Sequence, residues 1–474
     1  MRRRRYHRVR EGPFPPSGRA HDGPPTGPVT PGDVSATSAD VPATPPFDPG
    51  PAGFVPEMRW RGQFHAASEG LEARLAANRP ITAYIGFDPS APWLHIGHLV
   101  PIFGLIRLQR HGGRPIALVG GGTGMIGDPS GRSAERNLQS RDQIEANVAS
   151  IRPQLERFLD FAGPRGAIMA NNAEWLEPVR LLDFLRDVGK HFTIPYMLAK
   201  DSVQVRLEAG LSFTEFSYML IQSLDFQHLH QALECELQMG GADQWGNITA
   251  GLELIRRTSP PRPDGAPNAF AMAYPLLLAP SGTKFGKSEG GDSVWLHPDG
   301  TSPYAFYQHW LNTDDRDAST YLRWFTTFEP SRIVELEAAV AAAPGRREAQ
   351  RALALEITTR VHGEEAAGQA LAASEAAFSG APIADPAVLE TLHRTADRFD
   401  WLHTDAAAGP VEFLVATGAF ASKGEARRAI AGGGVTVNDR RLTDGDAALP
   451  VPIAGEWYVV RLGKRRVRVG RRTG

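Results

Sequence analysis

From about residue 81, apolar runs alternate with helical stretches, and this order limits the chain to a small set of folds. Residues 81–87 and 115–120 have the composition of buried strands, and residues 99–110 have the periodicity of a helix between them. This order is typical of a βαβ unit in a parallel sheet, so we predict an α/β fold. Such sheets bind ligands at the carboxyl ends of their strands, and we expect an active site there.

The sequence around this unit divides by composition. Residues 1–56 contain 13 of the 38 prolines and little apolar periodicity, which predicts a disordered tail. An organelle transit peptide and an over-extended start before Met58 are alternatives. The predicted order after the tail is a Rossmann-like parallel-sheet domain at 57–302, an α-helical domain at 303–375, a linker at 376–408 and a small α+β domain at 409–474.

Cysteine content and charge exclude several classes of protein. The single cysteine, Cys235, excludes a disulfide framework and a cysteine-rich zinc site. No apolar run is long enough to span a membrane, so the cytoplasm is the expected location, and no metal-binding residues are predicted. Residues 411–474 contain 12 Lys or Arg against 6 Asp or Glu, and this basic end favours contact with a nucleic acid.

The segment His95-Ile96-Gly97-His98, called HIGH from its letters, follows the first predicted strand. Its two histidines lie on one face if they form the first turn of a helix, and Gly97 leaves room for a flat ring. A helix N-terminus favours phosphate, and two imidazoles add hydrogen-bond donors. Taken alone, the segment is more often a capped turn with two surface histidines.

A second segment, Lys284-Phe285-Gly286-Lys287-Ser288, lies far downstream and is called KFGKS. It nearly matches a phosphate-binding P-loop, but Ser281 stands where the first glycine should be, and the Glu-Gly-Gly-Asp sequence of residues 289–292 is not typical of the helix that should begin there. A mobile flap over a polyphosphate is the better interpretation, and a solvated charged turn is the alternative. Together with HIGH, the segment predicts an ATP site assembled from two distant parts of the chain.

Gly122, Gly124 and Gly127 form a G-x-G-x-x-G pattern directly after the second predicted strand. That pattern is typical of dinucleotide sites when an acidic residue about 20 positions further on ends another strand. Residues 141–155 have instead the pattern of a polar amphipathic helix. A nicotinamide site is therefore not predicted.

Longer blocks of sequence extend these motifs, at residues 84–98, 118–136, 213–225, 238–251 and 284–288. Together they resemble the bacterial tyrosyl-tRNA synthetases, a branch of the class I aminoacyl-tRNA synthetases. The resemblance implies that 57–302 is a catalytic domain and that 303–375 binds tRNA. It also implies an enzyme that activates L-tyrosine with ATP and Mg²⁺ and then transfers tyrosine to the 3′-terminal adenosine of tRNA(Tyr).

The resemblance implies a role for each matching residue. Tyr84 and Asp225 would hydrogen-bond the phenolic hydroxyl of the substrate, and the α-ammonium group would be held by Asp128, Tyr218 and Gln222. The ATP and adenylate site would be lined by Asp88, His95, Gly97, His98, Asp243, Gln244 and Lys287. The catalytic residues would be His95, His98, Lys284, Lys287 and Ser288, and further matching basic positions are Arg132 and Arg136.

Residues 422–442 resemble the small RNA-binding motif, of the αL type, that bacterial members of this family carry at their C-terminus. The resemblance implies tRNA contacts from Arg427, Arg428, Arg440 and Arg441, and from Lys464, Arg465, Arg466 and Arg468 on a later strand. A charged, solvated face is the alternative. The family also implies a homodimer that pairs through the catalytic domain.

Two other functions are weighed against tyrosine–tRNA ligation. The sister tryptophanyl enzyme is disfavoured because Asp128 and Asp225 both stand in tyrosyl-type contexts. A catalytically retired, synthetase-like RNA-binding protein is disfavoured because both histidines of HIGH and both lysines of KFGKS are present.

Overall fold

The structure is a computed structural model, and it describes residues 50–130, 138–207, 210–277, 285, 293–378, 383, 385–395, 397–463 and 466–473. The described strands are β1 Ala66–Ala67, β2 Thr82–Phe87, β3 Arg114–Val119, β4 Ile168–Asn171, β5 Cys235–Gly241, β6 Phe270–Tyr274, β7 Asp397–Trp401, β8 Val435–Val437, β9 Arg440–Arg441, β10 Trp457–Leu462 and β11 Arg466–Arg472. The helices before residue 300 are α1 Phe54–Trp60, α2 Leu71–Ala76, α3 Leu99–Arg110, α4 Arg141–Glu156, α5 Ala173–Leu176, α6 Leu181–Asp187, α7 Ile194–Leu198, α8 Asp201–Leu207, α9 Phe213–Leu233 and α10 Trp245–Thr258. Those after residue 300 are α11 Pro303–Leu311, α12 Asp315–Phe325, α13 Pro330–Ala342, α14 Glu348–His362, α15 Glu364–Phe378, α16 Pro386–Thr395, α17 His403–Ala407, α18 Pro410–Ala416 and α19 Lys423–Ala431.

The first sheet has the strand order β1-β6-β5-β2-β3-β4. All neighbouring strands in it are parallel except β1 and β6. The two strands predicted from the sequence are β2 and β3, and α3 is the predicted helix between them, so the βαβ unit is confirmed. The strand order reverses between β2 and β5, which is where open parallel sheets bind their ligands.

Helices cover the first sheet on both faces, and β2 shows how its side chains divide between them. Ala83 and Ile85 are buried in the core that contains α3. Tyr84 points the other way and belongs to a core with Phe226 of α9, with ring centroids 5.4 Å apart. Because successive side chains on a strand face opposite sides, β2 brings Tyr84 to the face of the sheet that α9 covers.

The N-terminal boundary of the ordered chain differs from the sequence prediction. Residues 50–56 were predicted to belong to the disordered tail, but α1 begins at Phe54, and Phe54 and Val55 are at most 1% exposed. The tail prediction is therefore wrong at its C-terminal end. The proline-rich surroundings hide a short apolar segment, and that segment becomes ordered only by packing on the large core. Residues 1–49 lie outside the described part of the chain.

Residues 303–378 form α11 to α15 with short connections, which agrees with the α-helical character predicted for 303–375. Buried arginines of the preceding domain bind main-chain oxygens at the end of α12. Arg61 Nη1 donates to Arg323 O at 3.0 Å, and Arg107 Nη2 donates to Trp324 O at 2.8 Å. These bonds satisfy carbonyl groups that a helix end leaves without partners. In the part of the chain described here, no helix is long and apolar enough to cross a membrane.

The second sheet has the strand order β7-β11-β10-β8-β9, and it packs with α18 and α19 around a separate small core. With β8, β10, α18 and α19, residues 409–474 have the mixed α+β character predicted for them. Residues 376–408 were predicted to be a linker, but they contain α16 and β7, and β7 pairs in parallel with β11. The linker prediction is therefore wrong for 386–401. The sequence did not reveal β7, because this short, charged strand is stabilised by pairing with β11 and has no apolar pattern of its own.

Candidate active site

A cavity of about 410 Å³ opens where the carboxyl ends of β2 and β5 meet. Its wall consists of β2, the turn before α3, the segment after β3, α9 and the segment after β5. The predicted tyrosine-site and ATP-site residues that the structure describes all line it: Tyr84, Asp88, His95, Gly97, His98, Asp128, Tyr218, Gln222, Asp225, Asp243 and Gln244. Groups that are distant in sequence are therefore assembled at the expected edge of the sheet.

One end of the cavity holds a hydroxyl group and a carboxyl group. Tyr84 is 1% exposed, and its hydroxyl has no hydrogen-bond partner among the described residues. Asp225 of α9 accepts hydrogen bonds from Asn172 Nδ2 at 2.9 Å and from Trp175 Nε1 at 2.8 Å. A buried hydroxyl without a partner costs free energy. This end is therefore suited to a ligand that brings a polar group to Tyr84.

The electrostatics of this end favour an added hydrogen-bond donor. Burial raises the pKa of Asp225 to about 7, even though the hydrogen bonds from Asn172 and Trp175 lower it. Burial, followed by the charge of Asp225, raises the pKa of Tyr84 well above its ordinary value, so this hydroxyl keeps its proton. A ligand hydroxyl could donate to Asp225 and accept from Tyr84 at the same time.

A second group of polar side chains forms the adjoining wall. Asp128 accepts from Ser130 N at 2.9 Å and from Gln244 Nε2 at 2.6 Å. Asn247 Nδ2 donates to Gln222 Oε1 at 3.1 Å and lies within hydrogen-bond distance of Gln244 Oε1. The wall thus presents one carboxylate and several amide oxygens, which are the acceptors that an ammonium group requires.

Asp88 connects the two sides of the cavity. It follows β2 directly, and its Oδ1 accepts from Thr123 Oγ1 at 3.0 Å while its Oδ2 accepts from the Tyr218 hydroxyl at 3.2 Å. The end of β3 approaches it closely, since a Cβ atom on Gly120 would lie 2.4 Å from Asp88 Oδ1. Asp88 therefore has a fixed orientation, and glycine at position 120 is needed to permit it.

The HIGH segment forms a 3₁₀ turn, Ile96–His98, that leads into α3. His95 Nδ1 accepts from Gly97 N at 3.0 Å, and His98 Nδ1 accepts from His95 N at 3.0 Å. The two rings are 4.1 Å apart, which confirms that the histidines lie together. A Cβ atom on Gly97 would lie 2.7 Å from His95 Cε1, so the turn has no room for a larger residue.

These contacts fix where the histidine protons are. Burial lowers the pKa of His95, and burial followed by the charge of His95 lowers the pKa of His98 to about 3. Both rings are therefore neutral near pH 7. Because main-chain N–H groups bind to both Nδ1 atoms, the remaining proton of each ring is on Nε2. His98 Nδ1 also lies 3.3 Å from His95 O. Its contact with His95 N is shorter, and a main-chain N–H can only donate, so His98 Nδ1 is the acceptor. The turn offers two neutral N–H donors.

Part of the predicted site lies outside the described residues: Lys284, Lys287, Ser288, Arg132 and Arg136. Phe285 of the KFGKS segment is described, and it lines the cavity. Its ring stacks on Phe325 of α12 with centroids 5.3 Å apart and planes 16° apart. Its carbonyl oxygen is 3.4 Å from the place that a Cβ atom on Gly97 would occupy. This contact brings part of KFGKS next to HIGH.

Four polar residues near the cavity were missed by sequence reasoning: Thr123, Asn172, Trp175 and Gln238. Asn172 is 1% exposed, and its Oδ1 accepts from Gly122 N at 2.7 Å while its Nδ2 donates to both Thr123 Oγ1 and Asp225. Gln238 Oε1 is buried with no hydrogen-bond partner in the described ranges. The signal that could have identified Asn172 is its position in the chain, since it directly follows β4 at the carboxyl edge of the sheet.

The predicted RNA-contact residues differ in their exposure. Arg427, Arg428, Arg440 and Arg441 are exposed on α19 and β9. Arg468 is 6% exposed, its Nη1 donates to Thr417 O at 2.8 Å, and its guanidinium lies 5.3 Å over the ring of Phe399. The prediction that Arg468 contacts RNA is therefore wrong, because the side chain holds β11 against α18. Lys464 and Arg465 lie outside the described residues.

A parallel sheet with HIGH at the carboxyl end of its central strand is the architecture of a class I aminoacyl-tRNA synthetase. The family model for class I tRNA synthetases (W and Y) matches residues 76–379, and the model for the tyrosine–tRNA ligase SYY-like C-terminal domain matches residues 400–468. The chain belongs to the class I tRNA synthetases of this family, and within it to the tyrosine–tRNA ligases.

Curated relatives extend this result over most of the chain. A tyrosine–tRNA ligase of Anaeromyxobacter dehalogenans (strain 2CP-1 / ATCC BAA-258) is 51% identical over 410 residues, which are 85% of this chain and 96% of that protein. The tyrosine–tRNA ligase of Geobacillus stearothermophilus is 48% identical over 418 residues, which are 87% of this chain and 98% of that protein. The family resemblance seen in the sequence is confirmed.

Solved structures agree with the fold. A C-terminally truncated mitochondrial tyrosyl-tRNA synthetase of Aspergillus nidulans superposes with a TM-score of 0.62 at 29% identity, covering 69% of this chain and 94% of that one. The corresponding truncated enzyme of Coccidioides posadasii gives a TM-score of 0.58 at 30% identity, with 67% and 90% covered. The predicted fold class is confirmed.

Proposed function

We propose that this protein activates L-tyrosine with ATP, which gives tyrosyl-adenylate and pyrophosphate, and then transfers the tyrosyl group to the 3′-terminal adenosine of tRNA(Tyr). The observation that carries the proposal is the Tyr84 hydroxyl, which has no hydrogen-bond partner in the described part of the chain and shares a cavity with Asp225 and with the histidines of HIGH. A phenol fits the first pair, and a phosphate fits the histidines. The tyrosine–tRNA ligases to which the chain is similar support the same reaction.

The first step requires positioning and charge stabilisation. The carboxylate of tyrosine is ionised at neutral pH, so it attacks the α-phosphate without a general base. Asp128, with the amides beside it, holds the α-ammonium group and thereby aims the carboxylate. Negative charge grows on the α-phosphate and on the leaving pyrophosphate as the bond to the leaving group breaks. The Nε2–H groups of His95 and His98 stabilise that charge without changing their protonation.

Selection of tyrosine against phenylalanine follows from the same buried groups. A phenol donates to Asp225 and accepts from Tyr84, whereas the ring of phenylalanine would leave both of these buried groups without that partner. An unsatisfied buried polar group costs more than a hydrogen bond contributes. The site therefore rejects phenylalanine in the binding step itself, because the Tyr84 hydroxyl would stay without a partner among the described residues and Asp225 would lack a donor from the ligand.

The second step brings the 3′-terminal adenosine of tRNA to the adenylate. For this step we propose roles for α11–α15 and for the C-terminal module, with Arg427, Arg428, Arg440 and Arg441 facing the RNA backbone. All four are exposed on α19 and β9, and arginines suit phosphate contacts. Lys284, Lys287 and Ser288 are proposed to bind pyrophosphate in the first step, because ammonium groups complement a polyphosphate.

We also propose that the reaction uses Mg²⁺ and that the protein is located in the cytoplasm. The described ranges hold no group of three or more His, Cys, Asp or Glu side chains that could bind a metal ion by themselves. That fits Mg²⁺ held mainly by the phosphates of ATP, with Asp88 or Asp243 in reach from the cavity wall. The ion would neutralise part of the phosphate charge when it is bound. A chain whose single cysteine, Cys235, can form no intramolecular disulfide fits a reducing compartment such as the cytoplasm.

A homodimer is also proposed, and a patch of exposed apolar side chains supports it. The segment from α6 to the start of α9 buries a small core around Phe192 and Met197 but leaves several large side chains in solvent. These are Leu181 (70% exposed), Leu182 (78%), Leu185, Ile194, Val205 and Phe213 (79%). Large apolar side chains left in solvent on successive elements of one segment favour a protein interface there. Sedimentation of the purified protein would report the mass of the assembly.

Tyrosine-dependent ATP–pyrophosphate exchange tests the reaction directly. We expect exchange with tyrosine and none above background with phenylalanine or tryptophan. Tyr84→Phe removes only the hydroxyl that faces the ligand, so it should weaken tyrosine binding, while the matched control Tyr304→Phe lies in α11 and should not. Exchange with tryptophan or phenylalanine in place of tyrosine would overturn the proposal.

A further inference from the structure

We propose that His228 is a positioning residue for recognition of the phenol, and that it acts by holding the indole of Trp175 in the orientation that binds Asp225. The inference rests on the proposed function, because it takes Asp225 as the group that receives the substrate hydroxyl. His228 does not line the cavity, so it would act only through its neighbour.

The geometry joins the three side chains in a row. The imidazole of His228 lies flat on the indole of Trp175, with centroids 4.4 Å apart and ring planes 13° apart. The indole Nε1 donates to Asp225 Oδ1 at 2.8 Å. His228 follows Asp225 by three positions on α9, so the two side chains share one face of that helix. One helix therefore carries both the carboxylate and the ring that supports its hydrogen-bond donor.

Trp175 packs against the core that contains Tyr84 but is only half-buried, so the stacked imidazole adds to what restrains its indole. It belongs to α5, which has four residues, none of them fully buried. An indole that rotates about its side-chain bonds would move Nε1 away from the carboxylate. A flat ring stacked on one face opposes that rotation, and offset or parallel stacking is a favourable arrangement for aromatic rings.

The charge state of His228 suits this role. Burial lowers the pKa of His228, and the smaller effect of the Glu174 carboxylate raises it. The ring is thus neutral near pH 7 and adds no charge beside Asp225. Without the stack, Asp225 would keep the hydrogen bond from Asn172 and lose the one from Trp175 for part of the time. Its carboxyl group would then be less well oriented toward a phenol, whereas the histidines of HIGH would be unaffected.

The test compares His228→Ala, Trp175→Phe and the double variant in ATP–pyrophosphate exchange with the full-length protein. Trp175→Phe keeps an aromatic ring but removes the N–H donor to a carboxylate, so we expect the KM for tyrosine to rise about tenfold. His228→Ala should raise it by a similar factor, with the KM for ATP unchanged within about twofold. In the double variant, the loss of His228 should add nothing further, because no N–H remains to be positioned.

Two more variants separate positioning from folding. His228→Phe restores a flat ring without a titratable nitrogen, and it should return the KM for tyrosine close to that of the unmodified protein. Gln231→Ala changes an exposed residue of the same helix and serves as the matched control. A double variant whose KM is the product of the two single effects would overturn the proposal, and so would a His228→Ala protein with an unchanged KM for tyrosine.

A spectroscopic measurement does not depend on the reaction. A protonated imidazole in contact with an indole quenches its fluorescence, so the emission contributed by Trp175 should fall on acidification and should not fall in His228→Ala. If this signal is present but tyrosine supports no exchange, the proposed function fails while the stack stands. If exchange is normal and the signal is absent, the role of His228 fails and the proposed function stands.

Discussion

Replacement of Glu57 by glutamine would test the buried ion cluster that ties the N-terminal segment to α3 and α12. Glu57 is 4% exposed, and its Oε1 lies 2.5 Å from Arg61 Nε and 3.9 Å from Arg107 Nε. Its Oε2 lies 2.7 Å from His111 Nε2, and His111 Nδ1 lies 3.0 Å from Gly50 O. The substitution keeps the size of the side chain and removes the charge that faces three basic groups.

The magnitude follows from the pKa of Glu57. Burial alone would raise it, but the hydrogen bond from His111 and the charges of Arg61 and Arg107 lower it from 4.5 to about 2. A pKa that is about 2.5 lower in the folded than in the unfolded protein corresponds to about 3 kcal/mol of folding free energy. Because the pKa is lower in the folded state, this stabilisation is complete above pH 4.5 and is lost as the pH falls toward 2. Burial also lowers the pKa values of Arg61 and Arg107, so the cost of burying them offsets part of this gain.

Urea unfolding followed by tryptophan fluorescence, at several pH values from 7.5 to 3.5, measures the effect. We expect Glu57→Gln to lower the free energy of unfolding by about 3 kcal/mol at pH 7.5, and the difference from the unmodified protein to shrink below pH 4.5. Glu72→Gln is the matched control, since its ion pair with Arg59 is exposed and should contribute less than about 1 kcal/mol. Equal effects of the two substitutions at pH 7.5 would show that the buried charge of Glu57 does not stabilise the fold.

Other changes test the cavity and the C-terminal module. Asp225→Asn removes a charged acceptor, so tyrosine-dependent exchange should fall by about 10- to 100-fold and the preference over phenylalanine should narrow, as competition assays would show. Gly97→Ala places a Cβ atom 2.7 Å from His95 Cε1, so adenylation should slow by about tenfold or more while circular dichroism stays unchanged. Combined replacement of Arg440 and Arg441 by alanine should weaken tRNA binding, and the slope of the log binding constant against log salt concentration should become shallower by about 2. Filter binding at several salt concentrations measures this slope, and pyrophosphate exchange should be unaffected. An unchanged salt dependence would exclude those two arginines from the RNA contact.

Local patterns in the sequence were sufficient for part of the fold. The βαβ unit from β2 to β3, the helices from α11 to α15 and the strands β8 and β10 all have periodicities that a short window reveals. Elements that depend on a distant partner did not show such periodicity. β7 is a strand because β11 lies beside it, and α1 is ordered because Phe54 enters the core.

The same division applies to the site. The predicted tyrosine-site and ATP-site residues were found by their motifs, and those that the structure describes line one cavity. Asn172 and Trp175 belong to no recognised motif, although they supply the hydrogen bonds that hold Asp225. In the sequence, nothing distinguishes His228 from the other polar residues of α9. The structure shows that its ring packs against the indole of Trp175.

Motifs and periodicity in the sequence predicted the class of fold, the HIGH turn that follows the first strand, and a set of residues proposed to bind ATP and tyrosine. Long-range packing establishes that β5 lies next to β2, that Tyr84 faces α9, and that Arg468 is buried and cannot meet RNA. The difference is one of range along the chain. Periodicity and motif spacing record contacts within a few residues, whereas hydrogen bonds around a buried carboxylate depend on which distant strands and helices become neighbours.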